Sequence, residues 1–296
     1  MPESDLGVLD KFVVADPFSY VNALKLILPA ENKINLLMVG CGGTGSWLAP
    51  AVARVGKILI ERFSREIEIA FFDPDTVEEK NIYRQNFCAA EIGKNKASAL
   101  AERYGQAWGI EIGAVNQTFK ELDRRFYGSM AFIIGCVDNA KARQSISKCI
   151  QGGVAWLDCG NTKSYGQVLL GAGQCSGSKD PFMLPGFCGW LPYPHQQHPE
   201  LIGKSELANN GTPAHSLQEI AGRNPVVTDG ISCAEMAMQD SQGLAINQRM
   251  AAEAADYLVR ILITHDLRKF ATYIDLESGS CTSRYITEKE IREFAK

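Results

Sequence analysis

The segment Gly40-Cys-Gly-Gly-Thr-Gly45 ends an apolar run and opens a helical one, a place where a phosphate can be held. Glycine has no Cβ, so backbone N–H groups approach an anion closely, and the start of the following helix adds partial positive charge. Alone, the loop suits NAD, FAD or ATP, or no more than a tight strand–helix turn.

A second string narrows the chemistry: Asp73-Pro-Asp75-Thr-Val-Glu-Glu-Lys-Asn81-Ile-Tyr-Arg84-Gln85, then Lys96. An acid ending a strand accepts hydrogen bonds from a ribose, which is all a dinucleotide oxidoreductase needs there. The added arginine offers a planar bidentate fork and the lysine a point charge, both suited to polyphosphate. The competing reading makes Arg84 and Lys96 solvated surface cations. A third string is Gly135-Cys-Val-Asp138-Asn139, with Arg143 following. An aspartate at the end of a parallel strand faces the crevice where open α/β sheets bind ligands, and beside phosphates it suits Mg²⁺. Its structural alternative is to cap the helix over residues 139–151.

The elements that must position these groups are legible from periodicity. Residues 17–28 (PFSYVNALKLIL) read as a helix at the edge of the core. INLLMVG (34–40) is a short, fully apolar run, as in a buried parallel strand. Helical spacing over 44–55, a strand at 66–73, a helix at 95–106 and strands at 111–117, 130–138, 154–160 and 164–173 follow. Strand–helix alternation predicts an α/β fold, a doubly wound, Rossmann-like, mostly parallel sheet. Residues 174–230 are rich in Gly, Pro, Asn and His, too long for an ordinary connection, which suggests a functional or mobile loop. Helical periodicity resumes over 233–264, then two strand candidates, FATYIDL and SCTSRYIT, form a C-terminal antiparallel extension before a short charged helix. The organisation expected is one domain over 1–296: an extension at 1–33, a nucleotide-binding core at 34–173, a crossover region at 174–230 and C-terminal helix and strands at 231–296.

A net charge of −4 gives no general electrostatic grip on nucleic acid or an anionic membrane. No apolar run approaches the roughly 18 residues of a membrane span, and the acidic MPESDLG lacks a signal peptide's basic flank. The expected location is cytoplasmic. There the nine cysteines stay reduced, and Cys136 and Cys149, inside apolar runs, read as core residues.

Together the three strings and Lys96 resemble the ThiF, MoeB and HesA superfamily, bacterial relatives of the ubiquitin-activating enzymes, tightly over 34–143 and loosely over 225–265. Within it the sequence is most similar to the ThiF-related member of the PRTRC plasmid cassettes. The resemblance implies a homodimeric, adenylate-forming enzyme using ATP and Mg²⁺ on the C-terminal carboxylate of a small ubiquitin-like or sulfur-carrier protein. It implies nucleotide binding by Gly40, Gly42, Gly43 and Gly45, with Gly43 at the phosphates, and a ribose contact from Asp73 with Asp75 beside it. Asn81, Arg84 and Lys96 would bind and neutralise the triphosphate with Gln85 beside them, Arg84 and Lys96 acting catalytically; Asp138 would hold Mg²⁺ and Asn139 would line the pocket. Cys233, before the long helix, stands where relatives carry an acyl-accepting cysteine, with Cys175, Cys188 and Cys159 as runners-up.

Three departures accompany the match. The paired C-x-x-C zinc ligands of many relatives are missing, and Pro192, Pro194 and Pro199 make His195 and His198 loop histidines, so no structural zinc is expected. The interval from Gly45 to Asp73 is long, so KILIERFSRE extends the first helix or adds a loop. No arginine precedes Arg54 to reach into a partner's site; only Lys11, Lys25 and Lys33 could substitute. Two other functions share the fold: a non-catalytic nucleotide-binding scaffold and an NAD-dependent oxidoreductase.

Overall fold

The computed structural model describes residues 17–29, 31–121, 129–150, 153–173, 180–182, 184–203 and 243–294. A short helix α1 (Pro17–Val21) leads to β1 (Lys25–Leu26), then β2 (Lys33–Val39), α2 (Gly43–Phe63), β3 (Glu66–Phe72), α3 (Lys96–Trp108) and β4 (Gly113–Val115). There follow β5 (Met130–Gly135), α4 (Ala140–Lys148), β6 (Val154–Asn161), β7 (Tyr165–Ala172), β8 (Phe187–Cys188) and a helical turn α5 (Pro194–Gln197). The long helix α6 (Leu244–Leu262), β9 (Lys269–Asp275), β10 (Ser280–Tyr285) and α7 (Glu288–Arg292) complete the described elements.

Eight strands make one sheet in the order β10-β9-β7-β6-β5-β2-β3-β4. The five from β6 to β4 run parallel; β7 pairs antiparallel with β6, β9 with β7, and β10 with β9. The sheet is therefore α/β and mostly parallel, with the antiparallel C-terminal extension anticipated from the sequence. The chain leaves β2 toward β3 on one side and returns to β5 on the other, so a crevice opens where the order reverses, above the ends of β2 and β5.

Alternate residues of the apolar strands serve opposite faces. Leu36, Met38, Phe132 and Ile134 pack with residues of α2, α3 and α6, whereas Leu37, Val39, Ile133 and Trp156 pack with Ile146 of α4 and Phe119. This two-sided burial is why the strands read as continuous apolar runs rather than alternating ones. Helix α2 buries Leu48, Ala49, Val52, Val55 and Leu59 at helical spacing and ends at Ser64, whose φ of 50° is left-handed. It runs to Phe63, so KILIERFSRE does lengthen the first helix.

Two expectations need correction. Residues 17–28 do not form one helix: α1 stops at Val21, and Lys25–Leu26 pair in parallel with Phe187–Cys188, because Leu26 is buried as a strand residue between neighbours far apart in the chain. The proline-rich stretch is not a plain loop either. Pro194 starts α5, tolerated because the first turn of a helix needs no N–H from it, and Pro199 starts a 3₁₀ turn ending at Ile202. His198 is buried there, its Nε2 2.7 Å from the Tyr273 hydroxyl and its Nδ1 3.0 Å from Glu200. His195 stacks on Trp156 and Tyr193, and burial holds it below the ordinary histidine range. Among the described residues no group of three His, Cys, Asp or Glu could hold a metal ion, and no helix is long and apolar enough to cross a membrane.

Candidate functional site

A cleft of about 760 Å³ opens at the crevice, lined by the glycine loop, Asp73, Lys96, Asp138 and the ends of β6 and β7. The glycines differ in what fixes them. Gly40 has φ +92°, and a Cβ on it would lie 2.5 Å from the carbonyl oxygen of Cys136. A Cβ on Gly45 would lie 2.0 Å from the carbonyl of Gly40, and one on Gly43 would lie 2.7 Å from Oδ1 of Asn247. Gly42 faces the cleft, with only Gln85 Nε2 nearby at 3.8 Å. Three glycines are thus required by packing, and the fourth leaves the cleft open. Gly42 is also the N-cap of α2 with no side-chain cap, so the helix presents its N-terminal dipole to the cleft.

Asp73 follows β3 and is buried. Its Oδ2 accepts from the Cys41 N–H at 2.7 Å and its Oδ1 from the Asp75 N–H at 2.9 Å, tying the glycine loop to the acidic turn. Burial pushes its carboxyl above the ordinary aspartate range, although those N–H groups and the Lys96 charge pull it down. Burial likewise raises the Cys41 thiol, with the Asp73 charge adding to the rise. Lys96 is only 7% exposed and opens α3; its Nζ lies 3.1 Å from Asp75 Oδ2. Asn95 sets that geometry. Its Oδ1 caps α3 by accepting from Ser98 N–H, while its Nδ2 donates to the carbonyls of Asp73 and Asp75 at 2.8 and 3.0 Å.

The Arg84 turn is anchored to α2 by a consequence of Pro50. Proline within α2 has no N–H to give the carbonyl of Ser46, four residues back. That carbonyl instead accepts from Asn86 Nδ2 at 3.3 Å, and Ser46 Oγ accepts from Asn86 N–H at 2.9 Å. Trp47 Nε1 donates to the Arg84 carbonyl at 3.2 Å. Asn81 is buried, and its Oδ1 accepts from Glu78 N–H, closing the 3₁₀ turn that leads to Arg84. Gln85 is 5% exposed, lines the cleft and has no hydrogen-bond partner for Oε1. Gln167 of β7, which also lines the cleft, is equally buried with an equally unpartnered Oε1. Both oxygens are themselves sealed from solvent, so each is a buried, unpaired acceptor behind the cleft surface.

Asp138 is exposed at the cleft, its Oδ1 accepting from Asn139 Nδ2 at 3.1 Å. The capping role open to Asp138 belongs to Asn139, whose Oδ1 accepts from Ala142 N–H at 2.9 Å. Capping by its neighbour leaves the aspartate's carboxylate for the cleft. Arg143 is buried against Asp158 of β6, Nε lying 3.1 and 3.0 Å from the two carboxylate oxygens. Burial raises the Asp158 carboxyl and the guanidinium opposes the rise. Arg143→Met is expected to cost about 3–5 kcal/mol in denaturant titration, because it strands a buried carboxylate. Adding Asp158→Leu should restore most of that loss, and a wild-type midpoint for the single variant would refute the account.

Cys159 and Cys188 are buried. The hydrogen bond with Cys136 and burial push the Cys159 thiol well up, and burial takes Cys188 to about 11. Neither is poised as a thiolate, which weakens both as acyl acceptors. Cys175 and Cys233 lie outside the described residues, as do Lys11 and residues 233–242 of the expected 233–264 helix. Lys33 stands at the start of β2, 3.4 Å from Glu66 and Glu68, and Lys25 lies in β1. Sequence reasoning did not single out Asn95, Asp158, Asn161, Gln167 or Asn247. Asn95 and Asn161 carried a signal, one directly before a helical run and the other at a strand end.

The ThiF family model matches residues 30–183, which include the glycine loop, the Asp73–Gln85 string, Asp138 and Arg143. Over 168 residues, 49% of this chain, the sequence is 30% identical to ubiquitin-like modifier-activating enzyme 5 of Dictyostelium discoideum. The match spans 41% of that protein's length. Two solved structures share the fold: PaaA (TM-score 0.51, 17% identity, 86% of this chain and 74% of that one) and E. coli MccB (TM-score 0.51, 14% identity, 88% and 63%).

Proposed function

Since this chain belongs to the ThiF family, we propose that it adenylates the C-terminal carboxylate of a small ubiquitin-like or sulfur-carrier protein with ATP. The observation that carries the reading is the convergence of Asp73, Lys96, Gln85 and Asp138 on one cleft with the uncapped start of α2. A glycine loop with a ribose acid suits many nucleotides. A buried lysine and an exposed strand-end carboxylate lining the same cleft suit a triphosphate with its metal.

In this reading the backbone N–H groups at the start of α2 hold the phosphates and Asp73 holds the ribose. Lys96 exchanges its contact with Asp75 for the polyphosphate, and Arg84 adds a second positive charge from the turn pinned by Trp47 and Asn86. The carrier's carboxylate oxygen attacks the α-phosphorus, the bond to the β-phosphate oxygen breaks, and pyrophosphate leaves with its charge offset by those cations. Mg²⁺, bound through Asp138 and phosphate oxygens, would supply further charge neutralisation; one carboxylate plus substrate oxygens is the donor set this ion takes. Asn139 remains committed to its cap.

Incorporation of labelled pyrophosphate into ATP, dependent on a small carrier with a flexible glycine-containing tail, tests the reading. No exchange with the partner that binds the protein would leave a nucleotide-binding scaffold. NAD binding without ATP binding would leave an oxidoreductase.

The acyl group then passes to Cys233, on the sequence argument that it precedes the long helix. The thiolate attacks the acyl carbonyl, a thioester forms, and AMP leaves. A hydroxylamine-sensitive adduct with the carrier is expected in the wild type and lost in Cys233→Ala while pyrophosphate exchange persists. An adduct that survives the substitution would remove Cys233 from the pathway.

A further inference from the structure

Helix α6 contributes one polar residue to the region behind the cleft, and it does not look like a core residue. Asn247 lies in the first turn of α6, is 0% exposed, and stands among residues chosen for apolar packing such as Ile246, Met250 and Ala251. Asparagine is a poor helix former, and burying its amide costs free energy unless both ends are hydrogen-bonded. Both ends are bonded here, and to different walls of the site. Oδ1 accepts from Asn161 Nδ2 at 3.0 Å, and Asn161 Oδ1 accepts from Thr44 Oγ1 at 3.0 Å. Nδ2 donates to the carbonyl of Arg84 at 3.4 Å. The same Oδ1 lies 2.7 Å from where a Cβ of Gly43 would stand.

One side chain thus joins the glycine loop, the end of β6 and the Arg84 turn, three segments widely separated in the sequence. It adds a link between two walls that are otherwise joined through α2 and through the bond from Cys41 N–H to Asp73. We propose that Asn247 is a positioning residue of the cleft: it fixes the separation of the glycine loop from the Arg84 turn, and so makes nucleotide affinity depend on how α6 is seated. By linkage, a nucleotide that prefers the closed spacing must in turn stabilise the first turns of α6. The proposal rests on the adenylation reading only in requiring that ATP enter this cleft.

Two measurements on the full chain test it: ATP affinity by calorimetry, and hydrogen exchange of residues 244–250 with and without ATP. Met250→Ala is the control, because Met250 is buried one turn further along, against Gly166 of β7 and outside the cleft lining. The wild type should show ATP slowing exchange in these turns. Asn247→Ala should bind ATP about tenfold more weakly and lose that slowing. Met250→Ala should lower the melting temperature at least as much and keep both. Asn247→Asp, which can accept from Asn161 but cannot donate to Arg84, should behave like the alanine variant and serves if that one does not fold. Wild-type ATP affinity in a folded Asn247 variant, or equal losses in Met250→Ala, would overturn this inference alone. Absence of ATP binding in the wild type would overturn the adenylation reading and this inference with it.

Discussion

Lys96→Ala is expected to lower ATP–pyrophosphate exchange by about 100- to 1,000-fold, roughly 2.7–4 kcal/mol of transition-state stabilisation, in a protein that still folds. The fold persists because the lysine's partner, Asp75, is 66% exposed, and ion pairs with solvated carboxylates contribute little to stability. The chemistry suffers because the ammonium is held at the cleft wall, where its charge is weakly screened. A second signature separates this role from a simple packing role. Asp73 already titrates above the ordinary aspartate range because burial outweighs the Cys41 N–H and the Lys96 charge. In the adenylation reading acid therefore removes the proposed ribose acceptor, and exchange is expected to fall as pH drops through that raised value. Removing Lys96 takes away a lowering influence and should shift the acid limb to higher pH. The stability of the fold responds with the opposite sign. A carboxyl whose folded value lies above its unfolded one favours folding when protonated, so its contribution is present at low pH and lost as pH rises through the folded value. Against an Asp73→Asn variant, the wild type should thus lose melting temperature relative to that variant as pH rises, while its pyrophosphate exchange falls as pH drops. An acid limb unmoved by Lys96→Ala would refute the electrostatic account.

Asp138→Asn should cost about 100-fold in exchange, roughly 2.7 kcal/mol, while the melting temperature stays close to that of the wild type. The side chain is exposed, and the neighbouring Asn139 carries the helix cap, so no structural duty is lost. Removing one negative charge beside a polyphosphate should leave ATP binding without Mg²⁺ unchanged or tighter. The loss should appear as a higher Mg²⁺ requirement for exchange. Wild-type Mg²⁺ dependence in this variant would remove Asp138 as the metal ligand.

The strands and main helices of the sheet were legible because two-sided burial writes itself as uninterrupted apolar runs, and INLLMVG and MAFIIGCV are such runs. The residues gathered at the cleft were legible because their types follow from phosphate and ribose chemistry. What stayed hidden were the second-order partners. Asn161 and Asn247 do their work by meeting across 86 positions of chain, and no local pattern encodes that meeting. For Asn247 the sequence offered only an asparagine within a helix of good formers, and for Asn161 only its place at a strand end. The α1–β1 region misled because PFSYVNALKLIL has helical apolar spacing, and only pairing with Phe187–Cys188 turns its second half into a strand. Pro194 misled differently: proline excludes a helix interior but suits a first turn, and α5 is barely longer than that.

The bonds that assemble the cleft have a consequence for how the chain is made. Cys41 meets Asp73 after 32 residues of synthesis, Thr44 meets Asn161 after 117, and Asn161 then waits 86 more for Asn247. At about 5–20 residues per second, that last interval lasts roughly 4–17 s. Through it the growing polypeptide already carries the glycine loop, Asp73, Arg84 and Lys96, but not the Asn247 amide that bonds to Asn161 and to the Arg84 carbonyl. If that amide sets affinity, a ribosome-bound chain at this stage would hold ATP poorly, and nucleotide would begin to favour the native state only once α6 had emerged.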